Sequence, residues 1–345
     1  MSTVILTASD AGGGDSIFPL FDSLVERDHM VYAIIGGTAR DVWRRSGYDH
    51  TDGDTLSEAS LDELLRGYTP DLIVCGTSAG STIEKKLIAW AKNNRTPTLS
   101  VLDAWGNYWQ RFSSSEKDFK YLTDVVCVMD DTARKDMVGE GFDESVLQVT
   151  GNPHFDHFAD GITVGSENRE RILFVSQPLS EGSRGTNLTD YGYDEVGVLS
   201  DVVSVLRKMS YSYELLVRPH PKEKRDAALK FSALIGDRVQ ISEEEDPDRD
   251  VSRSGLVVGM HSELLFRAAV AGKRVVSYQP NLKLEERDPL VTNRRGETQF
   301  TYDARELPGI LEAYFRGTME APSVTLPKGA TENVMRVIEE ILQKK

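Results

Sequence analysis

The sequence predicts an α/β protein of two doubly wound domains facing each other across a cleft. Three observations carry this reading. Short apolar runs alternate with amphipathic helical stretches along most of the chain, the pattern of parallel sheets covered by helices on both faces. The alternation breaks at the turn cluster Gly151-Asn152-Pro153 and then restarts. The chain has 345 residues, more than one hydrophobic core usually serves. The expected domains are residues 1–155 and 156–325, and residues 326–345 form a helix that packs back on the first domain.

In the first half, Val4–Ala8 reads as a strand, Asp10–Asp15 (DAGGGD) as a glycine-rich loop and Ile17–Glu26 as a helix. Val31–Ile35, Leu72–Cys75, Thr98–Leu102, Val125–Met129 and Leu147–Val149 are further strands. Ser81 and Glu84 read as a capping box that opens a helix over Ile83–Lys92. Ser166–Glu170 (SENRE) suits a linker. The second series has strands at Ile172–Val175, Leu215–Arg218, Val239–Ile241, Leu256–Met260 and Val275–Tyr278, and helices at Val196–Lys208, Lys222–Leu234 and Glu263–Ala271. The last helix spans Thr331–Gln343. Leu179–Tyr193, rich in Gly, Ser, Thr and Asn, reads as a long loop over the carboxyl edge of the sheet, where ligands bind in open α/β folds.

Composition narrows the function. The formal net charge is −15, from 55 acids and 40 bases, and no basic patch offsets it, so a nucleic-acid partner is not expected. The densest acidic run, Glu243–Asp250 (EEEDPDRD), reads as a solvated loop. No stretch approaches the apolar length of a membrane span, and the N-terminus lacks a secretory pattern, so a cytoplasmic protein is expected. Cys75 and Cys127 fall in apolar runs and read as buried thiols. No residues show metal-ligand spacing, so neither a metal nor a cofactor is expected.

Several constellations suit chemistry at strand ends. Gly12, Gly13 and Gly14 would let a backbone approach a ligand, while Asp10 beside them favours hydroxyls over phosphate. Asp103 follows a strand, and Trp105, Asn107 and Arg111 lie close behind it, a set suited to carbohydrate stacking or to packing. Asp103 is the first choice of general base, because apolar surroundings raise a carboxyl pKa, and Asp10 is the second. Asn152 and His154 lie where the two halves join and suit a hinge or the cleft. In Arg218-Pro219-His220-Pro221 a strand delivers Arg218 and His220 to one side, just ahead of a helix, as a pyrophosphate clamp. His261 and Ser262 open the helix that begins at Glu263, whose N-terminus suits a phosphate.

Taken together, the glycine-rich first loop, the joint VTGNPHFD (149–156), the strand-borne RPHP (218–221) and GMHSELLFRAAVAGKRVVSY (259–278) resemble the GT-B superfamily over most of residues 1–280. That group includes nucleotide-sugar glycosyltransferases, UDP-N-acetylglucosamine 2-epimerases and capsule and teichoic-acid polymerising enzymes. The resemblance implies two Rossmann-like domains. RPHP is similar to the His-Pro motif of bacterial sialyltransferases and CDP-glycerol-type transferases, which implies that Arg218 and His220 touch donor phosphates and that Ser262 lies near the donor. The family's ribose-binding Glu falls at Arg267 here. Glu263 is a substitute one turn earlier, while Arg267 would meet an added phosphate or carboxylate, or pair with a neighbouring acid.

The resulting expectation is a nucleotide-sugar-dependent transferase of surface polysaccharide or glycoconjugate synthesis. It would take a nucleotide-linked sugar donor and a glycan or small-molecule acceptor, with domain closure about a hinge near Asn152. A homodimer is compatible with this. The alternatives are an epimerase acting on UDP-N-acetylglucosamine without an acceptor, and a nucleotide-binding protein of the same fold that has no turnover.

Overall fold

A computed structural model describes residues 1–80, 82–165, 167–182, 191–283 and 288–344. The chain divides into two units. Unit 1 comprises Met1–His157 and Leu326–Lys345, and unit 2 comprises Phe158–Thr325.

Unit 1 is built on seven strands: β1 (Thr3–Ala8), β2 (Met30–Ile35), β3 (Thr51–Asp52), β4 (Leu72–Cys75), β5 (Thr98–Val101), β6 (Val125–Val128) and β7 (Leu147–Val149). They pair in parallel in the order β3-β2-β1-β4-β5-β6-β7. Every residue of β1, β4 and β5 is buried, as expected of strands covered on both faces. Unit 2 carries β8 (Asn168–Val175), β9 (Glu214–Arg218), β10 (Val239–Ile241), β11 (Ser254–Gly259), β12 (Val275–Tyr278) and β13 (Gln299–Thr301). Their order is β10-β9-β8-β11-β12-β13, again parallel. Both sheets therefore run 3-2-1-4-5-6, the doubly wound Rossmann order, and each reverses direction between its first and fourth strands. The reversal opens a crevice at the ends of β1 and β4 in unit 1, and of β8 and β11 in unit 2.

The glycine run is not a loop. Gly12, Gly13 and Gly14 lie inside a helix, Ala11–Ile17, followed by a second helix, Leu20–Val25, in place of the one expected over Ile17–Glu26. Close packing explains glycines in a conformation they disfavour. A Cβ on Gly76 would stand 2.9 Å from the Cα of Gly13, and one on Gly14 would stand 3.1 Å from the Cβ of Ala39. The first helix can lie this near to the exit of β4 only because neither surface carries side chains.

Three other expectations change. The helix over Lys222–Leu234 shrinks to Ala227–Lys230. Ahead of it the amides of Glu223 and Asp226 bond three residues back, to His220 O and Glu223 O, so the chain turns instead of coiling. The acidic run is not a solvated loop either. Asp246 caps a helix, Pro247–Arg253, with Pro247 in its first turn. Of the expected linker, Asn168–Glu170 belong to β8, and Ser166 lies outside the described residues. The helices Ala39–Ser46, Glu58–Tyr68, Asp131–Glu140 and Leu307–Phe315, and strands β3 and β13, were not read from the sequence.

The helix Ala330–Gln343 sends Val334, Met335 and Ile338 into the same apolar cluster as Val4, Leu6 and Leu72 of unit 1. Its start is fixed by Asp156, whose carboxylate accepts from the amides of Ala330 and Thr331 at 2.8 Å each. Cys75 and Cys127 are buried free thiols. Among the described residues no helix is long and apolar enough to cross a membrane.

Candidate functional site

In unit 1 the sheet reversal places a carboxylate cluster at the ends of β1, β4 and β5. Asp10 follows β1, and its amide donates to Ser78 Oγ at 3.1 Å. Ser78 Oγ in turn donates to Glu84 Oε1 at 2.5 Å. Glu84 is only 2% exposed and also accepts from the Ser9 amide at 2.9 Å and from the Ser9 hydroxyl. Glu84 therefore does not close a capping box. It is a buried post tying the loop after β1 to the loop after β4, and the helix Ile83–Asn94 starts from Thr82 instead. Ser81 lies outside the described residues.

Asp103 sits against the glycine helix. A Cβ on Gly12 would come 2.5 Å from its Oδ2, so Gly12 makes the approach possible. Its Oδ1 accepts from Arg111 Nη1 at 2.5 Å and from Thr77 Oγ1 at 2.8 Å. Arg111 also reaches Thr77 O at 2.6 Å. The surroundings of Asp103 are thus a guanidinium and a hydroxyl, not the aromatic surface that the sequence reading invoked. Asp10 is the carboxyl whose pKa rises above its ordinary 3.8. Partial burial is the main cause, and the charges of Glu84 and Asp103 add to it against the opposing Ser78 hydrogen bond and Arg111 charge.

The remaining unit 1 candidates are mainly structural. Trp105 donates its indole N–H to Asp130 at 2.9 Å and stacks on Phe155 at 5.8 Å, within the cluster under helix Asp131–Glu140. Asn107 is exposed with φ 51°, the left-handed position before helix Tyr108–Phe112. Asn152 is 1% exposed, donates to Ser16 Oγ at 2.9 Å and accepts from the His154 amide, so within unit 1 it is a buried tie. His154 is half-buried beside Phe155.

In unit 2 the ends of β8, β9 and β11 enclose a cavity of about 360 Å³, lined among others by Gln177, His220, Lys224, Ser262, Glu263 and Arg267. Ser262 caps helix Glu263–Val270 by accepting from the Leu265 amide at 3.1 Å, which leaves the first-turn amides of that helix at the cavity wall. His220 Nδ1 accepts from the Lys222 amide at 3.2 Å, so its proton sits on Nε2. Burial holds its pKa below 6.5, which keeps the ring a neutral donor. Glu223, 1% exposed, fixes the His220 amide at 2.9 Å while its other oxygen accepts from Lys230 at 2.6 Å.

Arg218 also lines this cavity, but its guanidinium is engaged by the protein itself. It is 9% exposed, and its guanidinium donates to Asp250 Oδ2 at 2.6 Å, Glu244 O at 2.9 Å and Glu245 O at 2.8 Å. The acidic run folded back to take it. Arg267 is likewise held, by Asp248 at 2.5 and 2.6 Å and by Phe158 O at 2.9 Å, so of the roles expected for it the acid partner is the one formed. Lys224 lines the same cavity, exposed and without an ion-pair partner among the described residues. Sequence reasoning missed Lys224, Gln177 and Glu223, which no motif or spacing marks, and gave Glu84 a capping role only.

His261 lies deeper. Tyr193 donates its hydroxyl proton to Gln279 Oε1 at 2.6 Å, so His261 Nδ1 is the donor across the 2.9 Å contact to Tyr193. Gln279 Nε2 continues to both oxygens of Asp288 at 2.9 Å. Burial pushes the His261 pKa down to about 4. A depressed imidazole stabilises the fold fully above its unfolded value of 6.5, and that contribution is lost as pH falls through about 4; the gap is worth about 3 kcal/mol. Unfolding followed between pH 7 and 4 should show wild type losing stability faster than His261→Asn, which keeps a donor to Tyr193 but cannot titrate. Parallel curves would refute this. Of the loop Leu179–Tyr193, residues 183–190 lie outside the described residues.

Compared with known proteins, no protein-family model matches the sequence, and no curated protein matches it. Solved structures do. The chain is similar to UDP-GlcNAc 2-epimerase from Methanocaldococcus jannaschii, with 11% identity, a TM-score of 0.69 and coverage of 99% of this chain and 100% of that one. The UDP-GlcNAc 2-epimerase from Neisseria meningitidis, bound to UDP-GlcNAc, gives 12% identity, a TM-score of 0.66 and the same coverages. MurG from Acinetobacter baumannii gives 13%, 0.59, 99% and 100%. The fold is therefore of the GT-B type, as the sequence motifs led us to expect.

Proposed function

We propose that the chain is an enzyme acting on a nucleotide-linked sugar, with the nucleotide diphosphate held by unit 2. The supporting observation is the cavity at the sheet reversal of unit 2, where a neutral His220 with its proton on Nε2, the first-turn amides of helix Glu263–Val270 and the exposed Lys224 line one space. In this reading Nε2–H of His220 and the helix amides donate to phosphate oxygens, Lys224 supplies the charge expected of Arg218, and Glu263 takes sugar or ribose hydroxyls. Asp10 of unit 1 is the general base, since its raised pKa suits proton removal from a hydroxyl better than the ion-paired Asp103 does. Leaving-group charge is stabilised by the same phosphate donors. The reaction is transfer of the sugar to a hydroxyl acceptor in glycan or glycoconjugate synthesis.

A second reading, epimerisation of UDP-N-acetylglucosamine, is favoured by the epimerases among the solved neighbours. It needs a base beside the sugar ring and no acceptor.

Thermal unfolding in the presence of UDP, CDP, CMP or GDP tests both. A nucleotide at 100 times its Kd raises stability by about 2.7 kcal/mol. One nucleotide should produce this shift, and His220→Ala should abolish it. No shift with any of them sinks both readings. Incubation with UDP-N-acetylglucosamine alone then separates them: turnover without acceptor selects the epimerase.

A further inference from the structure

A groove of about 910 Å³ runs along unit 1, between helices Glu58–Tyr68 and Ile83–Asn94 on one side and residues 109–121 on the other. In a chain of net charge −15 it is lined by three lysines, Lys85, Lys86 and Lys120. Lys85 is 6% exposed. Among the described residues its ammonium donates only to carbonyl oxygens, Gln110 O at 3.2 Å and Ser113 O at 3.0 Å, and lies 5.5 Å from the Tyr121 ring centre. No carboxylate reaches ion-pair distance of it among the described residues. Buried cations ordinarily have such a partner. Two further atoms of the lining residues, Thr82 Oγ1 and Gln110 Oε1, are buried with no hydrogen-bond partner among the described residues. Buried polar atoms are normally satisfied, so these two point to hydroxyl groups that complete them. Trp90, Trp109 and Tyr121 supply flat apolar walls.

We propose that this groove binds a sugar bearing a single anionic group, a carboxylate or a phosphate. The anion pairs with Lys85, the hydroxyls complete Thr82 and Gln110, and a ring face lies on an indole. Glu58 and Glu116 also line the groove, so three ammonium groups meet two carboxylates, a balance that suits one anionic group and opposes a polyanion. The groove adjoins the carboxylate cluster through shared segments. The loop after β4 turns Thr77 and Ser78 toward Asp103 and Asp10 and contributes Gly80 and Thr82 to the groove. Helix Tyr108–Phe112 turns Arg111 toward Asp103 and contributes Trp109 and Gln110 to the groove. The proposal does not depend on the nucleotide reading.

Tryptophan fluorescence titrations with glucuronate, glucose 6-phosphate and glucose test it. Both anions should give saturable changes that Trp109→Phe diminishes, and glucose should bind at least about tenfold more weakly, the worth of one charge-assisted hydrogen bond. Lys85→Met should weaken the anions by about the same factor and leave glucose unchanged. The exposed pair Lys86→Ser with Lys120→Ser should weaken the anions without risk to the fold. His220→Ala should leave all three titrations intact. Absence of saturable binding by either anion, equal binding of glucose, or anion binding untouched by all the lysine variants overturns the proposal.

Discussion

Replacing Asp10 by Asn should lower turnover by roughly 10²–10⁴-fold, the usual contribution of a positioned general base, while nucleotide affinity stays within a factor of about two. Asn keeps the backbone bond to Ser78 and the shape of the loop, so a loss confined to kcat isolates proton transfer. The pH profile gives a second readout. A base works when ionised, so wild-type activity should rise with pH along a limb centred above the ordinary 3.8, because burial and the charges of Glu84 and Asp103 hold the Asp10 proton on. The same limb should be missing from whatever activity Asp10→Asn retains. Unchanged turnover in Asp10→Asn would transfer the role to Asp103, where Arg111 and Thr77 already occupy one oxygen.

Arg218→Ala should destabilise unit 2 by about 3–5 kcal/mol, measured by denaturant unfolding, because it leaves Asp250 buried at 3% exposure with its charge uncompensated. A phosphate-clamp arginine would behave otherwise. Its loss would weaken nucleotide binding and leave the fold nearly unchanged. The double variant Arg218→Met with Asp250→Leu separates the two further, since it removes both charges and should regain much of the lost stability. If the single variant unfolds like wild type and loses only nucleotide affinity, the ion pair seen here is not the resting state of the arginine.

These two cases show where the sequence could be read and where it could not. The parallel architecture followed from apolar runs such as Val4–Ala8 and Leu72–Cys75, because strands covered on both faces must be apolar throughout. The locations of Asp10, Asp103, His220 and Ser262 at strand ends followed from that pattern alone. Partnership did not. Whether Arg218 meets a phosphate or Asp250 depends on a segment 26–32 residues away folding back across β10, and nothing in RPHP carries that information. Glu84 fitted a local capping pattern, yet its bonds go to Ser9, 75 residues distant. The glycine run illustrates the same gap. Its composition suggested a ligand loop, whereas the demand for glycine came from Gly76 and Asp103, which only the fold brings near.

The interrupted path of the chain through unit 1 has a consequence for biosynthesis. Residues 158–325 form a continuous stretch and can fold as soon as they emerge from the ribosome. Unit 1 is synthesised first but closes last, because Val334, Met335 and Ile338 fill its core and Asp156 waits for the amides of Ala330 and Thr331. Until those residues appear, the nascent chain carries an open apolar seam beside Val4, Leu6 and Leu72 that chaperones would have to shield. A premature stop before Ala330 would therefore damage the beginning of the protein more than its end.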